Sequence, residues 1–124
     1  MATVGRKHRQ PRDRGSVTAE LALGLPAVVL ALVVVLLVAS AAIAQVRCTD
    51  AARAAARAAA LGEDSATVVA IATDLAGSEA HVSVSESGGW VTVEVSRPVA
   101  TGWLGGSSLT ARAEVAVPAE PGEP

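Results

Sequence analysis

The sequence predicts an α+β protein: a long N-terminal transmembrane helix continuing into an Ala-rich helix, then a short helix and a three-stranded antiparallel sheet. Three observations carry that expectation. The 26 residues from Leu21 to Val46 include no ionisable side chain, and about 20 apolar residues suffice to cross the hydrocarbon core of a bilayer. From Arg47 to Leu61 the chain is mostly alanine, the strongest helix former. After Ala80 the hydrophobic period changes from helical to alternating, the mark of half-buried strands.

Charge divides the 124 residues into blocks. Residues 1–15 form a basic leader, with Arg6, Lys7, Arg9, Arg12 and Arg14 against Asp13. From Arg47 onward five arginines face ten acids, and Glu20 stands alone between the two blocks. The apolar run admits three readings. A secretory signal has an apolar core of about 7 to 15 residues; Ala42-Ile43-Ala44 before Gln45 suits its cleavage, but the run here is far longer. A lipoprotein signal needs small or aliphatic residues directly before its cysteine, whereas Gln45, Val46 and Arg47 precede Cys48. A retained anchor fits the length. Five Lys or Arg precede the span, and Arg47, Arg53 and Arg57 follow it. The positive-inside bias therefore places the N-terminus in the cytoplasm and the C-terminal domain outside it.

One helix is expected over residues 16–61, a rod of roughly 70 Å at the rise of an α-helix. Pro26 is its expected kink, because proline removes a backbone hydrogen bond; it is equally a proline that a membrane helix tolerates. Gly62 is the expected C-cap. Residues 62–117 then form a small extracytoplasmic α+β domain. Asp64 or Ser65 caps a short helix running to Ala76, with Val68, Val69, Ile71, Ala72 and Leu75 on its apolar stripe and Gly77 ending it. His81 to Glu86 and Trp90 to Ser96 alternate around the turn Ser87-Gly88-Gly89, a hairpin pattern. A glycine-rich loop holding Gly102, Trp103, Gly105 and Gly106 leads to a third strand from Leu109 to Val117, with Leu109, Ala111, Ala113, Val115 and Val117 on one face. Residues 118–124, rich in Pro, Glu and Gly, form a flexible tail. About 60 residues make a marginal domain, so this one is expected to rest on the long helix or on a partner.

The inventory for chemistry is thin. One cysteine allows neither an internal disulfide nor a four-cysteine zinc site, and Cys48 is expected to remain a free thiol. His8 lies in the leader and His81 opens a strand, with no HExxH, CxxC or Gly-x-Ser-x-Gly pattern. The expectation is no enzyme, no cofactor and no metal. An acidic C-terminal part, with the basic footprint confined to the leader, excludes nucleic acid as a partner. Arg53 and Arg57 stand one turn apart on the Ala-rich helix. They suit contact with an acidic patch on another subunit, and equally the plain solvation of exposed charge.

Chemistry concentrates at the membrane border, Arg14-Gly15-Ser16-Val17-Thr18-Ala19-Glu20. Glu20 is the one carboxylate adjoining the apolar run. Drawing it into hydrocarbon costs about 2.5 to 3.5 kcal/mol on insertion scales, so a partner is expected. Cleavage after Gly15 would create an amine on Ser16, one helical turn from Glu20. The same residues also suit a plain juxtamembrane flank.

Basic residues, then Gly, four residues, Glu and a long apolar helix resemble the start of type IV prepilins. Gly15-Ser16-Val17-Thr18-Ala19-Glu20-Leu21-Ala22-Leu23-Gly24-Leu25-Pro26, followed by Ala51-Ala52-Arg53-Ala54-Ala55-Ala56-Arg57, resembles the TadE-like minor pseudopilins of tight-adherence (Flp-type) pilus systems. Residues 12 to 57 carry the resemblance. It implies a prepilin-peptidase site between Gly15 and Ser16, with Glu20 as the assembly glutamate. The implied partners are the membrane, the prepilin peptidase, other pilins or pseudopilins and the pilus assembly platform. The chain departs from the family pattern at Leu21, where an aromatic residue is usual, and at Ala55, where glycine is common. The alternative readings are a signal-anchored extracytoplasmic binding module and a small membrane subunit of a secretion complex.

Overall fold

A computed structural model describes residue Gly5 and residues 12–99 and 109–120. His8 and most of the leader, the loop with Gly102, Trp103, Gly105 and Gly106, and residues 121–124 lie outside the described residues. The elements are α1 (Arg12–Ala60), α2 (Ser65–Ala76), β1 (His81–Ser87), β2 (Trp90–Pro98) and β3 (Thr110–Pro118). The chain divides into two compact units, Met1–Leu36 and Leu37–Pro124. The expected α+β architecture is the observed one.

α1 begins at Arg12, four residues before the expected start, and continues through Pro26 to Ala60. Its end is closed by backbone chemistry that the glycine permits. Gly62 has φ +85°, its N–H donates to the Ala59 carbonyl, and the Glu63 N–H reaches back to the Ala58 carbonyl, both at 3.1 Å. That pair is the Schellman arrangement, in which the left-handed residue turns the chain so that two otherwise orphaned carbonyls are satisfied.

Asp64 is the N-cap of α2, with its Oδ1 accepting from the Thr67 N–H at 3.3 Å and also from the Thr67 hydroxyl. These donors hold its carboxyl below the ordinary carboxylate range. A carboxyl whose pKa is lower folded than unfolded stabilises the fold above its unfolded value, about 3.9, and loses that contribution as pH falls through the folded value. We expect the amide protection factors of Thr67 and Val68, measured by NMR exchange on the detergent-solubilised chain relative to the intrinsic rate at each pH, to fall on acidification below about pH 4. Asp64→Asn, which keeps an acceptor oxygen, should flatten that dependence.

The sheet has the order β1-β2-β3, antiparallel throughout. Ser87 pairs with Trp90 across Gly88 and Gly89, whose φ angles of +59° and +79° suit the two-residue turn that follows the right-handed twist of a hairpin. Val95 pairs with Ala113 and Val93 with Val115, so the inward faces of β2 and β3 align.

The core lies within the Leu37–Pro124 unit. Val91, Val93 and Val95 of the central strand are buried with Ala111 of β3, Val68, Ala72 and Ala76 of α2, and Ala44, Cys48, Ala51, Ala52, Ala55 and Ala56 of α1. The sheet thus rests on the helix, as its small size required. Alanines on α1 let the helix backbone come close to the valine methyls, so a core with no Phe or Tyr still excludes water. Two expected stripes are narrower than predicted. On α2, Val69 and Leu75 are exposed, because burial follows the row Val68, Ala72 and Ala76 at a strict four-residue spacing. Leu109 is also exposed; it precedes the first residue of β3, and the inward face of that strand begins at Ala111.

Candidate assembly site on the apolar helix

Gly15, Ser16 and Glu20 are exposed residues of α1, within the Met1–Leu36 unit. The Gly15–Ser16 peptide lies inside the helix, one turn from its start, where four N–H groups have no helical acceptor and opening costs least. Gly15 weakens that turn further, since glycine in a helix costs about 1 kcal/mol relative to alanine. This end of the helix therefore opens more readily than the rest.

Glu20 borders a shallow groove on the helix surface lined by Val17, Leu21, Gly24, Leu25 and Val28. Gly24, one turn beyond Glu20, opens it: a Cβ there would meet nothing within 4 Å. The arrangement sets one carboxylate at the rim of an otherwise apolar notch. From Val17 to Val46 the large apolar side chains are exposed, Leu23 at 78%, except for the half-buried Val33 and Leu37, and none of the most apolar stretch is buried. In length and composition α1 fits a single-pass membrane anchor. Pro26 lies exposed within this stretch and the helix is unbroken around it, although proline leaves the Ala22 carbonyl without its usual donor.

Arg53 and Arg57 belong to the other unit. Both are exposed, on the side of α1 turned away from Ala52, Ala55 and Ala56, and no ion pair of theirs occurs among the described residues. Asp50 shares their side of the helix and is exposed as well.

Three polar ties escaped the reading of the sequence. The Gln45 side-chain amide donates to the Arg112 carbonyl at 2.7 Å and accepts from the Arg112 N–H at 3.3 Å. It stands in for a neighbouring strand at the outer edge of β3, where Arg112 turns its backbone groups away from β2. Cys48 is a free cysteine with no exposed surface, and its Sγ donates to the Ala111 carbonyl at 3.7 Å. Burial pushes the thiol up, against the opposing pull of the Arg97 charge, so Cys48 is a packing residue and a poor nucleophile. Arg97 donates from Nη1 to the Ala76 carbonyl at 3.0 Å, capping the negative end of α2. The one hint in the sequence was Gln45 itself, an amide inside an apolar run.

Ala44 bears on the signal-peptide alternative. It is part of the core, and the next residue holds the edge of β3, so cleavage between them would strip a buried side chain from the domain.

Among the described residues no group of three or more His, Cys, Asp or Glu side chains gathers as a metal site would require. A comparison with protein families matches residues 15–57 to the TadE-like protein family. No curated protein and no solved structure matches the chain. That family is a structural one, of minor pilins related to Tad pili. The match opens on Gly15, spans Glu20 and the apolar run, and closes on Arg57, and through this segment, less than half of the chain, the sequence is similar to the TadE-like protein family.

Proposed function

We propose that the protein is a minor pilin or pseudopilin that contributes to assembly of a Flp-type pilus after prepilin peptidase cuts between Gly15 and Ser16. The observation that carries this reading is the family match over residues 15–57, with Glu20 exposed at the rim of an apolar notch. Before cleavage the helix holds the protein in the cytoplasmic membrane, N-terminus inside, with its apolar surface in lipid. Cleavage removes the basic leader and leaves an α-amine on Ser16. Glu20 then lies one turn from the helix start, where the macrodipole favours a carboxylate, and it can pair with that amine or with the amine of another pilin. The notch beside Gly24 gives a neighbouring helix room to approach that carboxylate. The same apolar surface that faced lipid then packs against other helices of the filament or of its base, beside the assembly platform.

The test is the mass of the mature N-terminus of membrane-extracted protein from cells with and without prepilin peptidase. We expect a chain starting at Ser16 that is lost without the peptidase. A start at Met1 or Ala2 in both strains would reduce the protein to a plain anchor, and a start at Gln45 would make it a secreted domain.

A further inference from the structure

The Leu37–Pro124 unit has two faces of opposite charge on opposite sides of one core. On the outer surface of α1, Arg53 and Arg57 are exposed beside the exposed Asp50, two cations to one carboxylate, and no ion pair of either arginine occurs among the described residues. The other face is the surface of the sheet turned away from the helices. There Glu94 of β2 stands directly opposite Glu114 of β3, and like charges facing each other across a strand pair destabilise a sheet. Arg112 Nε lies 3.5 Å from Glu94 Oε1. That one cation serves Glu94, and no ion pair of Glu114 occurs among the described residues.

We propose that copies of this chain associate head to tail through these faces, with Arg53 and Arg57 of one copy against the Glu94–Glu114 pair of the next. The spacing suits the contact. Residues one helical turn apart have Cβ atoms about 5–6 Å apart, and directly opposed strand residues about 4.5–5.5 Å, so two guanidinium groups can each meet one carboxylate. Paired this way, the repulsion built into the sheet becomes a site for two cations. Each face also carries an apolar side chain of the kind interfaces bury: Trp90, 52% exposed on the acidic face, and Leu61, 72% exposed four residues beyond Arg57. Because the surfaces differ, the contact is heterologous and repeats from copy to copy, which builds rows. It deepens the assembly reading and rests on that reading for its purpose, while its chemistry requires neither cleavage nor the peptidase.

The test uses the full-length chain in detergent micelles, with self-association followed by sedimentation at low and high salt. The native chain should associate, and association should weaken as salt screens the contact. R53E/R57E and E94R/E114R should each weaken it at least ten-fold. Mixing these two variants should restore association, because each then presents the face the other needs. A chain carrying all four reversals should associate with itself and not with the native chain. Glu114→Arg alone keeps the Glu94–Arg112 pair intact, and should weaken association in a chain whose circular dichroism is unchanged. A native chain that stays monomeric, or reversals that leave association unchanged or are not rescued by mixing, would overturn the proposal. Failure of the assembly reading shows up separately, as an intact N-terminus in cells.

Discussion

Ala55→Leu should unfold the sheet domain at growth temperature. Ala55 has no exposed surface, and neither do Cys48, Ala51 and Ala52 around it on the same side of α1. Three added carbon atoms have nowhere to go except into space filled by the rest of the buried cluster, which α2 and β2 share with α1. Overpacking of this kind costs typically 1–3 kcal/mol when the surroundings can adjust. Here adjustment means moving α1 off the sheet, which also breaks the double tie of Gln45 to Arg112 and exposes Val93 and Val95. A domain this small has only a few kcal/mol in reserve. Loss of the near-ultraviolet dichroism of its tryptophans, or a fall of at least 10 °C in unfolding temperature, would register the effect; a shift of 4–8 °C corresponds to about 1 kcal/mol in a domain of this size. Asp50→Leu, on the exposed side of the same helix, should change stability by no more than about 0.5 kcal/mol. Equal behaviour of the two variants would refute the layered core described here.

Glu20→Leu should leave insertion, cleavage and the sheet domain intact while abolishing assembly, on the functional reading proposed above. Leucine removes the cost of holding a carboxylate beside hydrocarbon, so the variant is at least as well anchored as the native chain. What it loses is the acceptor for a terminal amine. Leaving one member of a buried ion pair unmatched costs about 3–5 kcal/mol, or roughly two to three and a half orders of magnitude in an equilibrium constant at 1.4 kcal/mol per factor of ten. The expected outcome is a normal amount of chain with a Ser16 start in the membrane and at least a hundred-fold loss of pili. Retained piliation would show that Glu20 is only a flank. Glu20→Asp, which keeps the charge on a shorter arm, should retain part of the yield.

Features set by neighbouring residues were legible without the fold. The apolar run, the caps at Gly62 and Asp64, and the hairpin at Gly88-Gly89 each follow from chemistry within a few residues. The membrane-border motif is equally local, and the family match begins and ends on residues that the sequence singles out. Local chemistry also erred in a consistent way. The alanines of α1 read as helix propensity, whereas Ala51, Ala52, Ala55 and Ala56 are the floor of the core, because alanine is small enough to seat a sheet and a strong helix former at once. Val69 and Leu75 read as core, since hydrophobicity alone does not tell which side of a short apolar helix meets a partner.

The sequence alone determined the order and kind of the elements, the span, the charge blocks and the residues at the membrane border, because each depends on short-range periodicity and composition. Only the tertiary structure decided that Gln45 completes the edge of β3 from 67 residues away, that Arg97 caps α2 across 21 residues, that Cys48 is sealed inside, and that an acidic and a basic face lie on opposite sides of one core. Those outcomes depend on which backbone groups are left unpaired once the sheet has formed, and no local pattern records that.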